Sequence, residues 1–192
     1  MKQLDVFLFQ FINNFSHKNQ LLDFLSIFFA QYLIYLLMGF LVLLFILTRK
    51  DKMKVRLMIM LSFLAGLLSR FLVKALLVDF IKRARPFIFF HNISPLIMVS
   101  QNEYFQSFPS GHIIFLFALS TVLYRLNKKL GIVFFLSSSI VGMARIFVGI
   151  HWPSDIIAGA ILGFLTGLIT YKLYKFLEPK VIFCFKTTKN NS

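Results

Sequence analysis

The chain has 192 residues, 58% of them hydrophobic and 26 of them Phe, which excludes an ordinary soluble domain. Lys and Arg number 21 against 7 Asp and Glu, a net charge of +14 that reads as topology and contact with anionic lipid; nucleic acid as a partner has no support beyond charge. The single cysteine, Cys184, provides neither a disulfide framework nor a zinc site.

Residues 4–15 are apolar but too short to span a bilayer, and suit a helix lying in the interface or dipping into it. Asp5 and the Asn13–Asn14 pair spoil a cleavable signal peptide. Between Asp23 and Arg49 no charge interrupts, which is ample for a span of roughly 20 residues. Further spans are expected over 57–81, 110–124, 130–144 and 156–171. The third and fifth are short, and lengthen at 104–108 and at 172–174 if the lysine snorkels. Arg70 and Lys74 lie inside the second span and should face the bundle or water, because lipid-facing charge is costly. Gly159, Gly163 and Gly167 form two overlapping G-x-x-x-G steps that permit close helix packing in the last span. The expectation is all-α: a polytopic membrane helix bundle of about five spanning helices plus a short N-terminal interfacial or re-entrant helix. One domain covers 1–180, and a cytoplasmic tail over 181–192 is expected to lack regular structure.

Lys and Arg concentrate in cytoplasmic loops. Arg49, Lys50, Lys52, Lys54 and Arg56 follow the first span, Arg125, Lys128 and Lys129 follow the third, and Lys172 to Lys189 close the chain. These clusters fall on one side, so the connections 82–109 and 145–154 and the N-terminus belong to the outer side. Four of the five prolines and three of the four histidines (His91, His112, His151) lie in or beside those two connections. Lys82, Arg83, Arg85 and Arg145 stand there against the charge rule. An anionic ligand explains them, and so do a few solvated loop charges.

The stretch "QSFPSGHIIFLF" reads as a helix start, with Pro109 and Ser110 favoured there and Gly111 leaving amides uncovered. Such amides make an anion site beside His112, although a capped membrane helix with an incidental histidine fits equally. In "ARIFVGIHWPSD", Asp155 follows His151 by four residues. Around a turn ending at Pro153 it can accept the ring N–H, fix the tautomer and leave the other nitrogen free to attack. Taken alone, the pair also fits a helix-surface hydrogen bond.

Together, "KRARP" (82–86), "PSGH" (109–112) and Arg145, His151 and Asp155 resemble the three signature motifs of the type 2 phosphatidic acid phosphatase superfamily. The resemblance covers about 61–164, and the stretch "LLDFLSIFFAQYLIYLL" is similar to its bacterial undecaprenyl-diphosphatase branch. It implies a phosphatase with no cofactor and no metal, working through a phosphohistidine. His151 is then the nucleophile, Asp155 its orienting carboxylate and His112 the general acid. Arg85 and Arg145 grip phosphate oxygens, with Ser110, Gly111 and Lys82 completing the cradle. The absence of an Asp/Glu cluster in the sequence agrees.

The pattern departs from the family twice. The usual lysine seven residues before Arg85 is Val78 here, with Lys82 as its expected replacement, and Ala144 stands where a serine usually precedes the arginine. Lys74, three turns from Arg85, is expected to lie too deep to share its phosphate, and Trp152 is expected as an interfacial anchor. His91 reads as a loop histidine. The implied substrate is undecaprenyl diphosphate, cleaved at the outer face of a bacterial inner membrane. Alternatives are a phosphatidylglycerophosphate or phosphatidate phosphatase and a non-catalytic lipid-phosphate carrier. The related vanadium haloperoxidases are soluble, and the spans argue against them.

Overall fold

In a computed structural model, residues 2–48, 53–78, 80–90 and 92–190 are described, with side chains from 3 to 178 within those ranges. The first helix, α1 (Lys2–Asn13), buries Asp5, Phe9 and Asn13, one residue per turn on one face. Leu4, Phe7 and Phe11 are exposed on its other faces. An apolar outward surface on a helix too short to cross suits the membrane interface.

The first span, α2 (Gln20–Leu47), is capped by Asn19, whose Oδ1 accepts from the Leu21 and Leu22 amides at 2.9 and 3.2 Å. It contains a wide π-helical turn at Phe28–Tyr32. The second span, α3 (Met53–Val78), contains another at Ser69–Val73. A short helix α4 (Pro86–Phe89) starts with Pro at its first position, where a missing N–H costs nothing. After it come α5 (Gly111–Leu126), α6 (Lys128–Phe147) and α7 (Pro153–Asn190). Among the described residues there is no strand, only an isolated bridge between Arg83 and Gln106.

Among the described residues, four helices are long and apolar enough to cross a membrane: α2, α3, α6 and α7 over Pro153–Glu178. The fifth expected span, α5, has 16 residues and so reaches only about 24 Å. It is the central helix, in contact with α3, α6 and α7, and Ile113, Ile114, Leu116, Leu119, Val122 and Leu123 are fully buried. A helix enclosed by protein need not match the bilayer thickness. α7 continues to Asn190, past the boundary at 180 expected for the domain. His91 and residues 49–52 and 191–192 lie outside the described residues.

Close approach of α5 and α7 depends on the glycine series. A Cβ on Gly163 would sit 2.4 Å from the Ile114 carbonyl oxygen, and one on Gly167 would sit 2.5 Å from that of Ala118. The packing role expected of these glycines holds. Asn127 is the whole link between α5 and α6, and its Oδ1 caps α6 by accepting from the Leu130 amide at 3.1 Å.

At the other end of the bundle the two proline-bearing connections meet. The Leu96 amide donates to the Val148 carbonyl at 3.1 Å. Segments 83–85 and 104–107 pair through Arg83 N to Phe105 O, Arg85 N to Tyr104 O (both 2.9 Å) and Ser107 N to Arg83 O (3.1 Å). α1 closes over them, with Phe9 against Phe90 and Trp152 at ring separations of 5.8 and 5.3 Å. Trp152 is therefore no exposed anchor: it is 4% exposed, and its indole N–H donates to the Ala84 carbonyl at 2.9 Å.

Candidate active site

Extended pairing of 83–85 with 104–107 puts Arg83 and Arg85 on one side, because side chains alternate with period two. That side faces the turn from α6 to α7, where Gly149 takes a φ of +85 that a side chain would strain. The turn presents Ile150 and His151 to Arg85, and Ser154 and Asp155 to Arg83.

Asp155 is fully buried and saturated with donors. As third residue of α7, its Oδ2 accepts the Trp152 amide at 2.9 Å, one half of a capping box. The same oxygen accepts from Ser107 Oγ at 2.5 Å and lies 3.4 Å from His151 Nδ1. Oδ1 accepts from Arg83 Nη1 at 2.6 Å. Arg83 is held in turn by an ion pair with Asp5 and a hydrogen bond to Ser154 Oγ at 2.6 Å, and lies over the Trp152 ring. Asp5 also accepts from the Ser154 amide (2.9 Å) and hydroxyl (2.6 Å), so α1 is tied to the head of α7.

His151 Nε2 lies 3.4 Å from Arg85 Nη1. A guanidinium only donates, so that nitrogen carries the lone pair, and Nδ1 carries the proton facing Asp155. Burial, then the charges of Arg145, Arg85 and Lys74, hold the imidazole well below its usual range. It is neutral at pH 7, with its lone pair fixed in direction.

Arg85 is 2% exposed and donates to the carbonyls of Glu103 (2.8 Å) and Ile150 (2.9 Å) and to the Glu103 carboxylate (3.1 Å). Arg145 donates from Nη1 to the Ala30 carbonyl at 2.9 Å. Ala30 lies in the wide turn of α2, where the regular i to i+4 pattern lapses and a carbonyl is released. Two buried donors have no partner among the described residues: Arg145 Nε and the Ser110 hydroxyl. Ser110 caps α5 without a side-chain cap bond, so its hydroxyl is free for another acceptor. His112, in the first turn of α5, lines a cavity of about 240 Å³ with Arg85, Arg145, Glu103, Tyr35 and Ile150.

The expected residues thus meet, with one exception. His151 lies against both Asp155 and Arg85, and His112 and Arg145 line a cavity with Arg85. Lys82 is exposed and lines a separate groove with Asp5, Arg83 and Trp152, so it does not join the cradle. Lys74 does not line the cavity of Arg85, but it lies close to the head of α5. A Cβ on Gly111 would sit 3.1 Å from Lys74 Nζ and 2.9 Å from Arg70 Nη1. Arg83, Asp5, Ser107 and Glu103 were not singled out for these contacts. The available signals were Arg83, which stands against the charge rule, and Asp5, an acid in an apolar segment of a chain with only 7 acidic residues. Among the described residues, no three His, Cys, Asp or Glu side chains converge as metal ligands.

Residues 57–178 match the model of the PAP2 superfamily. The bacitracin transport permease protein BcrC of Bacillus licheniformis is 32% identical over 182 residues, covering 94% of this chain and 84% of the relative. The undecaprenyl-diphosphatase BcrC of Bacillus subtilis is 26% identical over 174 residues, covering 91% and 86%. The crystal structure of Aquifex aeolicus LpxE superposes with a TM-score of 0.69 at 30% identity, covering 88% of this chain and 95% of that one. The chain belongs to the PAP2 superfamily, as a multi-pass membrane protein.

Proposed function

We propose that this lipid phosphatase hydrolyses undecaprenyl diphosphate to undecaprenyl phosphate and phosphate, with no metal, at the outer face of a bacterial inner membrane. The observation that carries the reading is His151: neutral, with Nδ1 toward Asp155 and its Nε2 lone pair beside the buried Arg85 fork.

His151 Nε2 attacks the terminal phosphorus, forming an N–P bond as the bond to the bridging oxygen breaks. Asp155 accepts the Nδ1 proton in a hydrogen bond and balances the positive charge that develops on the ring. Arg85, Arg145, the Ser110 hydroxyl and the Gly111 amide receive the phosphoryl oxygens as preorganised donors, typically worth about 3 kcal/mol each in the transition state. His112 protonates the leaving oxygen. It then takes a proton from the water that cleaves the N–P bond and releases phosphate. A mere carrier needs the arginines but has no use for an oriented histidine–carboxylate pair.

Support for the substrate comes from the relative named undecaprenyl-diphosphatase and from the position of the basic clusters opposite the site. The test compares kcat/KM for undecaprenyl diphosphate, phosphatidylglycerophosphate and phosphatidate in one detergent, with and without EDTA. The reading predicts a preference for the diphosphate of about tenfold or more and no loss with chelator. Preference for either glycerolipid would overturn the substrate, and a strict divalent requirement would overturn the scheme.

A further inference from the structure

Arg70 and Lys74 stand one turn apart on α3, with Arg70 in the wide turn Ser69–Val73 and Lys74 directly after it. Their charged ends converge on Gly111, the residue before His112. Their charges, with that of Arg145, reach the His112 ring. Neither makes a hydrogen bond or ion pair among the described residues. Two unpaired cations inside a span are costly, and persist where an anion or water meets them.

They do not line the cavity of Arg85 and Arg145. They line a second one of about 330 Å³, with Phe71, Ala75, Val78 and Gln106, and Phe71 beside them is 68% exposed on the lipid-facing side of α3. Gly111, against which the two cations lie, is followed by His112, which lines the first cavity.

We infer that Arg70 and Lys74 form a second anion subsite, which holds the lipid-linked phosphate of a diphosphate substrate while the terminal phosphate is removed. This rests on the diphosphate reading above and deepens it. In-line displacement puts the leaving oxygen opposite His151 Nε2, on the His112 side. In a diphosphate that oxygen belongs to another phosphoryl group, which must lie beyond His112, where the two cations stand. When the bridging bond breaks, its electron pair goes to that group, and Arg70, Lys74 and the proton from His112 share the new charge. A monoester releases an alcohol there and gives these cations nothing to bind. The lipid-facing side of the second cavity gives the prenyl chain a route to the bilayer.

The experiment uses farnesyl diphosphate and farnesyl phosphate, which share one chain, with the full-length protein in detergent. Arg70→Gln and Lys74→Gln should each lower kcat/KM on the diphosphate by about tenfold or more. Loss on the monophosphate should stay below about threefold. Each variant is judged by the ratio of the two activities, so a loss of folded protein cancels. Arg70→Lys keeps the charge without the fork and should shift the ratio less. Methylenediphosphonate should inhibit both Gln variants more weakly than the wild type, with inhibition by orthophosphate unchanged. Equal losses on both substrates, or no loss on either, would overturn the subsite and leave the diphosphate reading standing. A wild-type protein that prefers farnesyl phosphate would overturn both.

Discussion

Asp155 serves two structures at once, capping α7 through the Trp152 amide and facing His151 Nδ1. One carboxylate therefore fixes both the helix start and the direction of the His151 ring. On this account His151→Ala abolishes turnover on every substrate. His112→Ala costs about a hundredfold or more on a lipid phosphomonoester such as farnesyl phosphate, whose alkoxide leaving group must be protonated, the usual worth of general-acid catalysis. It costs much less on an activated aryl phosphate, whose leaving group needs no proton. Equal losses for both variants on both substrates would contradict the division of roles. The pH dependence has a definite sign. Burial and three nearby cations lower the His151 pKa, so the ring stays neutral and nucleophilic below the ordinary value of about 6.5. The unfolded chain takes up that proton first, so this group also withdraws stability as pH falls below about 6.5. With an aryl phosphate, and with the ionisation of the substrate divided out, the acid limb of kcat/KM should lie well below 6.5. A limb at or above that value would show an imidazole free of these neighbours.

Helix α1 is an interfacial element with a second task. Its outward face is apolar, while Asp5 on its buried face binds Arg83 and Ser154, 78 and 149 residues away. Through Arg83 it reaches Oδ1 of Asp155. Asp5→Ala should lower kcat by about tenfold to a hundredfold, the scale on which small misplacements act, with KM little changed. Asp5→Asn, which keeps one acceptor oxygen for Ser154 but loses the ion pair, should fall between. Wild-type kcat in Asp5→Ala would show that the N-terminal helix is only a membrane anchor. The sequence shows α1 as an apolar segment that cannot span, but its acid reads there as a defect in a signal peptide. A partner 78 residues away leaves no local mark. The wide turns of α2 and α3 are equally silent, because one extra residue per turn barely changes the pattern of a uniformly apolar run. Lys74, expected too deep to share the phosphate of Arg85, lies against Gly111 in a separate cavity, a position no spacing along the chain reveals.

For the whole molecule, charge-free runs were enough to place the spans within a few residues. The three motifs told which loops matter, since histidines and arginines on an otherwise apolar chain have few other uses. Lys82 was misplaced because spacing along the chain says nothing about which side of the extended 83–85 segment it leaves. Orientation rests on charge asymmetry, and a cysteine introduced at the exposed Ser100 tests it. An impermeant thiol reagent should label it on intact cells or spheroplasts, with Cys184 replaced by serine. Labelling only after the membrane is opened would reverse the orientation.

The central claim is that phosphorus is bonded to His151 during turnover. Farnesyl diphosphate carrying ³²P in its terminal phosphoryl group, mixed with the enzyme and quenched in alkali within one turnover, tests it most directly. Label stable to alkali and lost in acid is expected on the peptide that contains His151, and none on His151→Ala. Full turnover with no label on the protein, or with label on any other residue, would contradict it.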